Sequence, residues 1–212
     1  MDAKTNPQNL EKDPGVAGKR FVLDRLAGFS KDLHICLMPI PSMTCSGNTH
    51  AYFPALIMCC GFIEYLTALH RGNPNKIGWQ QVANWTNAHL PQPEYDEYVT
   101  RILFDAFRNS VAHRGIASGI WIDQKKGPTK GDRLTWRVTA SARRPAIEII
   151  TKSGTLKTNT PWPCRYTHIV RVHLKALRKD IRTAATAYAI KLEGNAALQA
   201  EFVKCMNHLF PR

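Results

Sequence analysis

Three residues within the run Phe107 to Gly115 have the types and spacing to do chemistry: Arg108, Asn109 and His113. Histidine titrates near neutrality, so it gives and takes protons. Arginine carries a permanent planar charge suited to a phosphate oxyanion, above all where charge grows in a transition state. Asparagine orients either partner or the substrate. RNA brings its own nucleophile, the 2′-hydroxyl. A general base, a general acid and a phosphate clamp therefore suffice to cut it without metal. On an ideal helix Arg101, Asp105, Asn109 and His113 recur every four residues and form one polar stripe, with Arg108 on its flank. Arg108 and His113 stand five residues apart, about 140° around the axis, so a single helix converges them poorly. Pairing two copies across a two-fold axis would juxtapose two such stripes.

The helix that must carry these residues is predicted from Tyr95 to Gly115. Tyr95, Val99, Ile102, Ala106 and Ser110 make its apolar stripe, and Glu94, Asp96 and Glu97 crowd the first turn, where the dipole favours negative charge. Asp105 pairs with Arg101 at i,i+4. Arg114, in the Arg-Gly that follows His113, is a further supporting residue. Glu64 interrupts the otherwise apolar stretch His50 to Leu69. A buried carboxylate needs a partner, and orienting Arg108 is the role assigned to it.

Three helices precede this one: Val22 to Leu37, ended by Pro39 and Pro41; His50 to Leu69, ended by Arg71-Gly72-Asn73-Pro74; and Ile77 to Leu90, ended by Pro91 and Pro93. Between 120 and 160 the period changes to two. Leu134, Trp136, Val138 and Ala140 alternate with Arg133, Thr135, Arg137 and Thr139, and Ile147 to Thr151 supplies a partner strand. Helix returns from Tyr166 to Leu192 and again from Ala196 to Phe210. The predicted fold is mostly α, a bundle of about six helices with a small inserted β-hairpin. Residues 1–18 form a flexible arm, and 19–212 form one domain with 120–160 as the insertion.

The chain has 212 residues, 44% of them apolar, enough for a core and too many for a disordered chain. A formal net charge of +13 points to a polyanionic partner. Residues 114 to 144 alone hold eight basic and two acidic side chains. Arg171, Lys175, Arg178 and Arg182 are placed along one face of the fifth helix as RNA-backbone contacts. The longest apolar run, Ala51 to Ile63, contains Pro54 and is short of the roughly 20 residues of a span, so no membrane is expected. The N-terminus lacks secretory character. The six cysteines include no C-x-x-C pair, which fits reduced thiols in a cytoplasmic protein rather than zinc or disulfides. His168 and His173, five apart, make a poor metal pair, so no metal or other cofactor is expected. The five tryptophans are assigned to the core rather than to base stacking.

Arg108, Asn109 and His113, with four intervening residues and a helical setting, resemble the Arg-x(4–6)-His motif of the HEPN family (higher eukaryotes and prokaryotes nucleotide-binding domains), in which a polar residue commonly follows the arginine. The 120–160 segment and the arm fall outside the resemblance. It implies an all-α homodimer with two motifs in one cleft, and a metal-independent endoribonuclease of toxin–antitoxin or phage-defence type that leaves a 2′,3′-cyclic phosphate. In that reading His113 is the general acid/base, Arg108 the clamp and Asn109 a positioning group. A catalytically silent HEPN-like module binding RNA, a nucleotide or a protein is the alternative. An antitoxin or a nucleotidyltransferase are the partners the resemblance adds to RNA.

Overall fold

The structure is a computed structural model that describes residues 12–39, 51–75, 77–111, 120–121, 132–156 and 164–211. It is mostly helical, with one small mixed sheet. Helix α1 (Pro14–Cys36) starts where Asp13 accepts a hydrogen bond from Val16 N at 3.0 Å and Pro14 occupies the first turn. Its buried positions Val22, Leu26, Phe29 and Leu33 follow the helical period. The arm predicted for 1–18 therefore ends earlier. Residues 14–18 are helical, and Gly15 and Gly18 are buried because α1 comes close to the far end of the chain; a Cβ on Gly18 would lie 3.2 Å from the Phe202 ring.

Helix α2 (Tyr52–Arg71) is the centre of the bundle, packing on α1, on α5 (Leu174–Gly194) and on α6 (Ala196–Leu209). It ends at Gly72, whose φ of 68° supplies the left-handed cap that frees the chain to turn. At 20 residues and a mean hydropathy of 1.5 it meets the measure of a membrane span, contrary to the expectation from the Pro54-containing run. Yet 56% of that stretch is buried against the other elements, as in a core helix. Phe29 stacks on Phe62 at 4.4 Å between ring centres, and Phe21 meets Phe202 edge-on at 5.9 Å. Helix α3 (Trp79–His89) and α4 (Glu97–Arg101) pack side by side, with Asp96 capping Val99 N at 2.8 Å. From Ile102 to Asn109 the α4 helix continues as a π-helix.

The strands are β1 (Ile120–Trp121), β2 (Asp132–Thr139), β3 (Ile147–Leu156) and β4 (Cys164–His173), in the spatial order β1-β2-β4-β3. The predicted hairpin is overturned. Strands β2 and β3 are not neighbours; β4 lies between them, parallel to β2 and antiparallel to β3. The long helix predicted from Tyr166 is also overturned, because 164–173 is the central strand and α5 starts at Leu174. Tyr166, Val170 and Val172 sit at even spacings, which suit a strand face as well as a helix face, and the β-branched Thr167, Ile169, Val170 and Val172 favour the strand. One sheet face carries Leu134, Val138, Ile147, Val170 and Val172 into the core. There Trp136 meets Phe107 of the π-helix at 5.0 Å. The opposite face carries Arg133, Arg137, Arg165 and Arg171.

Candidate functional site

Phe104 and Phe107 are buried, which turns Arg108 and Asn109 of the π-helix outward. Arg108 is held on two sides. Its Nε and one terminal nitrogen donate to Glu64 Oε2 at 3.1 and 2.7 Å, and its other terminal nitrogen donates to Asn109 Oδ1 at 3.0 Å. The Glu64 side chain is 16% exposed and that of Arg108 32%, so the pair sits at the edge of the core. The carboxylate comes from the middle of α2, 44 residues earlier, in contact with the π-helix. Burial raises the Glu64 carboxyl above its ordinary range, and the Arg108 charge and hydrogen bond only partly offset this.

Asp105 follows the same logic. Its carboxylate lies 3.5 Å from Arg101, but it is half-buried and raised, again first by desolvation and then lowered by Arg101. The Arg101 guanidinium also stands 5.0 Å over the Trp79 ring. Two carboxylates with raised affinity for protons thus stand at a segment of unusual helix, Asp105 within it and Glu64 against it from α2. The α-helical angles expected for the polar stripe do not hold over Ile102–Asn109, since i→i+5 bonding widens the turn. Single-turn π segments recur at functional sites. His113 and Arg114 lie outside the described residues.

The basic residues divide differently from the expectation. Lys175, Arg178 and Arg182 do lie on α5, Lys175 and Arg182 exposed and Arg178 half-buried. Arg171 belongs to β4 rather than to that helix, and it donates to Glu148 Oε2 at 2.8 Å. His168 and His173 fall on opposite faces of β4, so they face no common ligand. His168 Nδ1 is 2.9 Å from Thr167 Oγ1 and His173 Nδ1 is 3.2 Å from Thr139 Oγ1. Among the described residues no three His, Cys, Asp or Glu side chains gather as metal ligands. Cys59 and Cys60 are fully buried, and burial pushes both thiols far up, which leaves them unreactive. Trp85 is buried, whereas Trp79 and Trp136 are half-buried at the π-helix end of the core.

One polar cluster gave no sequence signal. Asp180, 4% exposed, accepts from Tyr95 Oη at 2.7 Å and is clasped bidentately by Arg144, whose first terminal nitrogen also donates to Glu94 at 3.0 Å. Glu94 in turn accepts from Ala146 N at 3.0 Å. The cluster ties α5 to the β2–β3 connection and to the entry of α4, with every charge paired. It therefore reads as a structural tie rather than a reactive site. Comparison of the chain with protein-family models, with curated proteins and with solved structures gave no match.

Proposed function

We propose that this protein is a metal-independent endoribonuclease whose site pairs Arg108 and Asn109 with His113, completed by a second copy of the chain. The observation that carries the reading is the pairing of Arg108. Arginine side chains at a helix surface ordinarily sample many rotamers. This one is fixed by a carboxylate reaching from the core and by the neighbouring amide, leaving its outer edge toward solvent. Such a guanidinium is preorganised for a phosphate oxygen, and the ordering cost is met by folding rather than by binding.

In the proposed reaction His113 removes the proton from a 2′-hydroxyl, whose oxygen attacks the adjacent phosphorus. The bond from phosphorus to the 5′-oxygen breaks, and that oxygen takes a proton from an imidazolium of the second copy. Arg108 balances the extra charge on the non-bridging oxygens. The products are a 2′,3′-cyclic phosphate and a 5′-hydroxyl. Phe53, 38% exposed and edge-on to Phe107 at 5.3 Å, offers an apolar contact point on α2 for a second copy. A role as a toxin or in phage defence, with an antitoxin or nucleotidyltransferase partner, is part of the same proposal.

The test is incubation of purified protein with a fluorescent oligoribonucleotide in EDTA, followed by mass spectrometry of the fragment ends. Cyclic-phosphate ends that vanish in both His113→Ala and Arg108→Ala are expected. Intact RNA at micromolar protein overturns the enzyme and leaves the silent binding module.

A further inference from the structure

The outward face of the sheet has no part in the ribonuclease site. Alternation along β2 places Arg133 and Arg137 on it, and alternation along β4 adds Arg165 and Arg171. Arg133, Arg137 and Arg165 are exposed. Register makes the arrangement costly: Arg137 stands directly opposite Arg171 on the adjacent parallel strand. Like charges facing each other across a ladder destabilise it. Glu148, opposite Arg171 on β3, offsets only that residue, bonding it at 2.8 Å. Arg137 has no carboxylate partner among the described residues. At the same end the proton affinity of His173 is lowered first by burial and then by Arg171 and Arg143, with Glu148 opposing them.

Among the described residues this face keeps four guanidinium groups against one carboxylate, around the buried side chains of Thr135, Ile169 and His173, an arrangement that suits an anion supplied from outside. We infer that the outer face of the β2–β4–β3 sheet docks the phosphodiester backbone of a nucleic-acid strand, through Arg133, Arg137, Arg165 and Arg171. The spacing suits a repeating polyanion: residues two apart on a strand project about 6.6 Å apart, and neighbouring strands lie about 4.8 Å apart. The hydroxyls of Thr139 and Thr167 lie on the same face as further hydrogen-bonding groups. An anionic membrane is the poorer fit. The large apolar side chains exposed among the described residues, such as Ile35, Met38 and Phe210, all lie outside the sheet, so this face has nothing to insert into a bilayer. The inference extends the proposed ribonuclease by naming where its strand is held, and binding tests it separately from cleavage.

The probe is a fluorescein-labelled 2′-O-methyl oligoribonucleotide, which lacks the nucleophile and so cannot be cut, read by fluorescence anisotropy over a salt series with the full chain. A DNA oligonucleotide of equal length serves as a second probe. In Arg133→Gln/Arg137→Gln/Arg165→Gln, affinity for both probes falls about tenfold or more, and the slope of log affinity against log salt drops by about 2, from about 0.7 per lost contact. Glu148→Gln moves affinity the other way. Arg20→Gln/Lys31→Gln/Lys204→Gln, which removes the same charge from exposed helix positions, serves as the control. An equal loss in that control, or an unchanged triple sheet variant, overturns the inference. So does a sheet variant that loses only its binding to vesicles of equimolar phosphatidylcholine and phosphatidylserine. Should the triple variant melt early, Glu148→Gln decides alone: unaltered or weaker binding refutes the docking face. Tight binding without cleavage of ordinary RNA would refute the nuclease and leave the docking face standing.

Discussion

Removing either member of the Glu64–Arg108 pair should destabilise the fold in a way that depends on the other member and on pH. Exposed ion pairs contribute about 0.2–1 kcal/mol, while breaking a fully buried pair costs about 3–5 kcal/mol. With the carboxylate 16% exposed, the guanidinium 32% exposed and two hydrogen bonds between them, the coupling should fall near 1–2 kcal/mol. Urea unfolding of wild type, Glu64→Gln, Arg108→Gln and the double variant measures it as a double-mutant cycle. The sign of the pH dependence follows from the direction of the Glu64 shift. The folded state raises its pKa above 4.5, so its stabilising contribution is complete below that pH and is lost as pH rises through the raised value. Arg108 is the group holding that rise in check. The penalty of Arg108→Gln should therefore be small below pH 4.5 and grow toward neutrality, and it should lose this pH dependence in the Glu64→Gln background. A coupling under about 0.5 kcal/mol, or a penalty flat with pH, would refute the argument that Glu64 fixes Arg108.

Three further outcomes follow from groups already described. Tyr95→Phe should cost about 1–2 kcal/mol and Asp180→Ala about 3 kcal/mol or more, read from urea midpoints at constant slope, because the second leaves Arg144 without its main partner. Cys59 and Cys60 should resist iodoacetamide at pH 8 and be modified only in denaturant, as peptide mass spectrometry would show; labelling of the native protein contradicts their burial. His89, lowered to about 4 first by burial and then by His70 and Lys191, should titrate near there by proton NMR. Its neutral ring supports the fold above pH 6.5, and that support fades as pH falls toward 4; a midpoint above 6 would exclude this environment.

Much of the helical framework was legible because its signals are local. Gly72 stops α2 and Asp96 caps α4 within three residues of chain, whereas Asp13-Pro14, which starts α1, was assigned to the flexible arm because few apolar residues surround it. Part of the candidate site was legible too, since a lone acid in an apolar helix asks for a cation, and Arg108 is the one that reaches Glu64. The sheet order was not legible. Apolar residues at 166, 170 and 174 satisfy a helical period while β-branched neighbours pull the same stretch into a strand, and choosing between them needs partners far away in the chain. The π-helical turn likewise leaves no mark on a pattern read at 3.6 residues per turn. Arg171 was misplaced for the first of these reasons alone.

The strand order also decides what can be cut away. A hairpin could be excised from a helical bundle and its ends rejoined. Here deletion of β2 and β3 would strip β4 of both neighbours at once, leaving its amides and carbonyls bare on either side and inviting edge-to-edge aggregation. Because β4 runs directly into α5 at Leu174, the frayed strand would stay tethered to a helix at the heart of the bundle. A shortened version of this protein should thus be sought at its chain ends, never in its middle.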